Sequence, residues 1–231
     1  MPYRVVIPGL FGRNESIIPV LEAEGCEVVR LPAVQPGETF VWTPELIESR
    51  VRDADALLGM FAGMRLTRQV LTAGEKLRVV TSPVIGTEHI DVDACTDLGI
   101  VVAYGAMPEN YLGVAEAVVM LIAALRKQFP QKMDTVRSGG WRVPYAGHMV
   151  RDCTVGLIGL GNVGRATARR LAGWECTLLG ADPYVSPTAA AELGVTLVDL
   201  DTLLMESDVV TVMVTLTDDT RHLIGKRALS L

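Results

Sequence analysis

Positive charge, histidine and aromatic side chains are scarce in this 231-residue sequence, which has 21 Lys and Arg against 27 Asp and Glu, three His and 5% aromatics. The balance gives a net charge of −6 and a pI near 5.1. That sign opposes attraction to phosphate backbones or anionic lipid, so neither nucleic acid nor membrane is expected as a partner. None of the four cysteines, Cys26, Cys95, Cys153 and Cys176, pairs with another at zinc-knuckle or Cys-x-x-Cys spacing. Free thiols, no metal site and a cytoplasmic location are the expectation. No basic segment with a long apolar run opens the chain. The longest apolar stretch, residues 112–125, contains Glu116 and is short for a bilayer span. Fixed-period repeats and low-complexity tracts are missing too.

What is present is a globular composition. Hydrophobic residues make up 49% of the chain and mean hydropathy is +0.33, enough apolar surface to offset ordering entropy. Short apolar runs at residues 4–7, 26–31, 54–61, 77–81 and 99–103 alternate with helix-like segments, one opened by Thr43-Pro44 and another by Thr67. Near-continuous Val, Ile and Leu runs suit strands of a parallel sheet covered on both faces. A helical pattern then extends from 110 to 137, with Pro130 expected to kink or split it. A second strand series follows at 154–160, 176–180, 195–198 and 208–214. The alternation predicts an α/β protein in two domains, residues 1–103 and 104–231.

One motif carries chemistry. The strand-like Thr154-Val155-Gly156-Leu157-Ile158 runs into Gly159-Leu160-Gly161-Asn162-Val163-Gly164 and then a helix-forming segment. In this context the first glycine permits a tight turn, the second lets backbone approach a pyrophosphate, and the third allows close packing of helix on strand. The pyrophosphate would lie on the unpaired N–H groups of the helix N-terminus. The next strand ends at Asp182, at the offset expected for a carboxylate that accepts the adenosine ribose hydroxyls. Its alternative role is to cap the turn 182–184. No Arg or Lys follows Asp182 closely, so NAD is expected over NADP.

These residues belong to a longer ordered set. Residues 79–94, 98–102 and 114–117, then Gly140-Trp141, 154–164, 180–184 and 208–225, resemble the D-isomer-specific 2-hydroxyacid dehydrogenases. The resemblance implies a flavodoxin-like substrate domain followed by a Rossmann, doubly wound parallel-sheet, NAD-binding domain. It implies hydride transfer between NAD(H) and a small 2-hydroxy or 2-keto acid, and a homodimer through the 110–137 helix. By the same resemblance, backbone at Val84, Ile85 and Gly86 would bind the substrate carboxylate, with Ile85 also beside the nicotinamide. Asn162 and Val163 would lie along the pyrophosphate, Asp182 and Pro183 at the ribose, and Val214 and Thr215 by the adenine.

Two departures follow from the same alignment of motifs. Val84 stands where the family has glycine, and a β-branched residue resists positive φ. The family's catalytic Arg, its acidic partner and its acid/base His lie downstream of the segment matching 208–231, so no catalytic residue is assigned here. Only four strands follow residue 154, against the six of a complete Rossmann sheet, and residues 226–231 read as a helix cut in mid-element. The expectation is an incomplete Rossmann domain in a truncated chain, marginally stable and inactive alone. The three histidines offer no replacement: His89 is expected in a loop hydrogen bond, His148 in solvent and His222 in a loop outside the sheet. The alternative reading is a noncatalytic NAD-binding association protein of the same fold.

Overall fold

The computed structural model describes residues 2–9, 16–33, 38–142 and 147–231. The chain divides into two compact units, Met1–Ala106 and Met107–Leu231. In the first, β1 (Arg4–Ile7), β2 (Glu27–Arg30), β3 (Ala56–Leu57), β4 (Val79–Ser82) and β5 (Val101–Tyr104) form a parallel sheet in the order β2-β1-β3-β4-β5. This is the 2-1-3-4-5 order of the flavodoxin-like doubly wound fold. The run at 54–61 yields only two strand residues, because the chain turns at Gly59 (φ +74°) and the Met60 N–H already bonds the Thr81 carbonyl. The core on one side gathers Val6, Leu57, Met60, Met64, Leu66, Leu71 and Val80, and a smaller cluster builds on Val5, Ile7 and Ala56. Helices α1 (Ile18–Ala23), α2 (Pro44–Leu46), α3 (Arg68–Thr72) and α4 (Val92–Leu98) connect the strands. Asp91 caps α4 by accepting the Ala94 N–H at 2.8 Å, and left-handed Gly99 ends it.

The second unit starts with α5 (Pro108–Arg126) and α6 (Phe129–Arg137). The helical pattern over 110–137 is split into two helices, with the break at left-handed Gln128 (φ +51°), two residues before Pro130. Pro130 occupies the first turn of α6. Its ring excludes the carbonyl four residues back and it has no N–H, so the helix must stop before it and restart with proline in the first turn. At 19 residues α5 is also longer than the apolar stretch suggests, and by length and composition alone it is apolar enough to cross a membrane. Its Ile122, with Val118, Val119 and Ala123, packs into the core of this unit, whereas Val114, Met120, Leu121 and Leu125 are exposed.

Four parallel strands follow: β6 (Thr154–Ile158), β7 (Thr177–Ala181), β8 (Thr196–Leu197) and β9 (Val209–Val212), in the order β8-β7-β6-β9. Numbered from β6 this is 3-2-1-4, the first four strands of the Rossmann order. Helices α7 (Asn162–Leu171), α8 (Pro187–Ala191) and α9 (Leu200–Glu206) make the crossovers. Residues 226–231 contain a short 3₁₀ turn, Ala228–Ser230, in place of the expected helix, tied by the Ser230 hydroxyl donating to the Arg227 carbonyl. All four cysteines are free; Cys95 and Cys153 are buried, Cys26 and Cys176 half-buried.

Candidate cofactor site

The site begins where β6 ends. Gly159 has φ +93°, and a Cβ there would also meet the Met213 carbonyl carbon at 3.0 Å. A Cβ on Gly164 would collide with the Gly159 carbonyl oxygen. Gly161 differs: it caps α7, and nothing lies within 4 Å of where its Cβ would be. Two glycines are thus demanded by the protein's own packing, whereas the middle one leaves open space beside backbone. That is the cradle a ligand backbone would fill.

Arg165 fastens the turn from the helix side, its Nε donating to the Leu160 carbonyl at 2.8 Å. Asp182 fastens it from the sheet side: Oδ2 accepts the Leu160 N–H at 2.7 Å, and Oδ1 accepts the Tyr184 N–H at 2.9 Å. The turn-capping role weighed from sequence is therefore present, and a second anchor accompanies it. A carboxylate has about four lone-pair sites, so two N–H contacts leave capacity for ribose hydroxyls.

Beyond this turn a cavity of about 590 Å³ opens at the C-terminal ends of β6, β7 and β9. Of the residues picked out by sequence, Gly159, Gly161, Asp182, Pro183, Val214 and Thr215 line it. Asn162, Val163 and Gly164 form the first turn of α7 immediately after Gly161. Several lining residues escaped the sequence reading, among them Tyr184, Asp199, Thr217, Asp219 and Thr220. The Thr217/Thr220 spacing was a usable signal, since hydroxyls three apart favour a local turn. Here the Thr217 N–H donates to Thr220 Oγ1 at 2.8 Å, and that hydroxyl donates to the Thr215 carbonyl at 2.6 Å.

Asp199 caps α9, its Oδ1 accepting the Thr202 N–H at 3.0 Å and its Oδ2 the Thr202 hydroxyl at 2.7 Å. The Thr202 hydroxyl, with its N–H, holds this carboxyl below the usual carboxylate range.

Residues 119–231 match the family of the D-isomer specific 2-hydroxyacid dehydrogenase NAD binding domain. That segment belongs to the family. NAD is accordingly the cofactor of the domain. Among curated relatives, the D-3-phosphoglycerate dehydrogenase of Methanocaldococcus jannaschii is 34% identical over 191 residues, covering 82% of this chain and 36% of that protein. The glyoxylate reductase of Thermofilum pendens is 34% identical over 218 residues, 89% of this chain and 61% of that protein. The chain thus spans about a third of the length of the phosphoglycerate dehydrogenases it matches. In fold it matches the Aquifex aeolicus D-lactate dehydrogenase complexed with NAD and lactic acid, with a TM-score of 0.81, 24% identity, and coverage of 98% of this chain and 65% of that one. The Staphylococcus aureus NAD-dependent formate dehydrogenase in complex with NAD gives 0.83 at 24%, covering 98% and 70%.

In the first unit, Val84, Ile85 and Gly86 lie in the loop after β4. Val84 has ordinary backbone there: the non-glycine left-handed residues among those described are Gln128, Glu175 and His222. The Ser82 hydroxyl shapes this loop, accepting the Val84 N–H at 3.3 Å and lying 3.2 and 3.1 Å from the Val84 and Gly86 carbonyls. Replacing a family glycine with Val84 therefore imposes no positive φ, because a side-chain hydroxyl organises the turn. Among the described residues, the N–H groups of Ile85 and Gly86 donate no hydrogen bond.

His89 is buried, 6% exposed, with Nε2 2.9 Å from the Met60 carbonyl. His148 and His222 are exposed, and no histidine lines the cavity.

Proposed function

We propose that this chain is the cofactor-binding and carboxylate-binding part of an NAD-dependent oxidoreductase acting on a small 2-hydroxy or 2-keto acid. The observation that carries the reading is the open Gly161 backbone beside Asp182 on the wall of the 590 Å³ cavity. The Gly159–Gly164 turn and the α7 N-terminus, with Asn162 and Val163, hold the pyrophosphate; Asp182 and Pro183 hold the ribose, and Val214 and Thr215 the adenine side. Bound NAD supplies hydride acceptance or donation. The Ile85 and Gly86 N–H groups, in the loop 84–86, suit a substrate carboxylate, which takes charge-assisted bonds from backbone, and Ile85 adds an apolar surface for the nicotinamide.

Reduction of a keto acid also needs a proton donor near the carbonyl oxygen and a cation to polarise it. His89 is committed to Met60 and the other two histidines are exposed outside the cavity. These 231 residues therefore bind NAD without measurable turnover on their own. The same observation favours a second reading, a noncatalytic NAD-binding association protein. The exposed apolar residues of α5 support a homodimer through α5 and α6, and four free cysteines fit a reducing cytoplasm.

Calorimetric titration of the chain with NAD⁺, followed by NADH oxidation assays with glyoxylate, pyruvate and hydroxypyruvate, tests the proposal. Binding without turnover is expected. Failure to bind NAD⁺ overturns the reading, and turnover near the ~10 s⁻¹ typical of enzymes overturns the missing acid/base.

A further inference from the structure

Selection against a 2′-phosphate is ordinarily assigned to one carboxylate at the end of the second Rossmann strand, here Asp182. The cavity wall carries two more. Asp199 comes from the N-cap of α9 and Asp219 from the loop after β9, so three separate elements deliver acids to one cavity. Among the described residues that line it, none is Lys, Arg or His. We infer that Asp199 and Asp219 are specificity-determining residues that exclude dinucleotides phosphorylated on the adenosine ribose. The inference rests on the cofactor reading above and concerns the choice between cofactors, not whether one binds.

Two features favour this role. First, Asp182 spends acceptor capacity on Leu160 and Tyr184, so its carboxylate serves the turn as well as the cavity. Second, the Asp199 carboxylate and the backbone that carries Asp219 are held in place. Asp199 is pinned by the N–H and hydroxyl of Thr202, which keep it ionised, and Asp219 sits between Thr217 and Thr220 in the turn those two hydroxyls lock. A ribose phosphate carries about −1.5 to −2 charge at neutral pH. A roughly spherical cavity of this size is about 10 Å across, close to one Debye length at 0.1 M salt. Any phosphate inside it therefore feels both carboxylates before screening removes them.

The test uses the full chain with Asp199→Asn, Asp219→Asn and the double variant, titrated with NAD⁺ and NADP⁺ at about 20 mM and about 300 mM NaCl, on either side of effective screening. Asn caps a helix as well as Asp, so the first variant preserves α9, and the second lies away from any helix and gives an independent reading. At low salt each substitution should lower the ratio of NADP⁺ to NAD⁺ dissociation constants about three- to tenfold, and the pair should lower it more. High salt should narrow the ratio in the unsubstituted chain and change it little in the double variant. An unchanged ratio in both single variants, with NAD⁺ still bound, overturns the inference. No NAD⁺ binding by the unsubstituted chain overturns instead the cofactor reading beneath it.

Discussion

Asp182 accepts the backbone N–H of Leu160 at 2.7 Å, joining the end of β7 to the middle of the glycine-rich turn at the end of β6. One carboxylate thereby fixes the shape of the turn and sits on the wall of the cavity that the turn borders. Asp182→Ala should weaken NAD⁺ binding by about 1–3 kcal/mol, the range for hydrogen bonds to a charged group. Asp182→Asn, which keeps one oxygen acceptor, should lose less. Calorimetric titration measures both; equal affinity in all three proteins would leave Asp182 with the turn alone.

The glycines separate folding from binding. Gly164→Ala forces a methyl against the Gly159 carbonyl and should cost about 1–3 kcal/mol of stability, as overpacking does. Gly161→Ala meets no atom of the protein, so denaturant unfolding should be close to that of the parent. Its dinucleotide affinity should fall about tenfold or more, because the methyl occupies the approach to the helix N-terminus. Paired urea unfolding and NAD⁺ titration distinguish the two outcomes.

Arg227 binds Asp201 with two bonds, Nη1 to Oδ2 at 2.8 Å and Nη2 to Oδ1 at 2.7 Å. The hydrogen bond from Arg227 holds the Asp201 carboxyl below its ordinary value of 3.8. A carboxylate depressed in the folded state stabilises it above the unfolded value and stops doing so as pH falls through the folded one. The urea midpoint of Asp201→Asn should thus lie below that of the parent at pH 5 to 7, the plateau well above both values. The two should converge in acid below the ordinary value.

Chain association should follow the exposed face of α5. Light scattering is expected to give about twice the chain mass, because a face carrying Val114, Met120, Leu121 and Leu125 gains roughly 1.5–3 kcal/mol per large side chain it buries. Leu121→Glu together with Leu125→Glu should return a monomer at tens of micromolar, a concentration at which the parent remains dimeric by the same arithmetic.

Much of this was legible in the residues. Val- and Ile-rich runs located the nine strands of the described residues because strands of parallel sheets are ordinarily covered on both faces and need no polar alternation. Gly159 and Asp182 were legible because the turn itself requires them, and Gly161 because its place in the glycine motif marks backbone left open for a ligand. Asp199 and Asp219 were not, since what makes them matter is that β8 and β9 flank β7 and β6 in the sheet, an order no local spacing encodes. The break at Gln128 was misplaced by two residues because proline acts on the carbonyl behind it, and helices restart with proline in the first turn. Ser82 was missed because its hydroxyl works through a loop whose shape the sequence assigns to glycine.

The buried apolar clusters of residues 5–102 and those of residues 118–224 share no member. Each unit thus has an apolar core of its own, and a chain with two cores is expected to melt in more than one step. Scanning calorimetry should resolve two heat-absorption peaks. Saturating NAD⁺ raises most the stability of the unit that carries the glycine-rich turn, by about 2.7 kcal/mol at a hundred times the dissociation constant. The peak that moves more with cofactor concentration therefore belongs to residues 107–231.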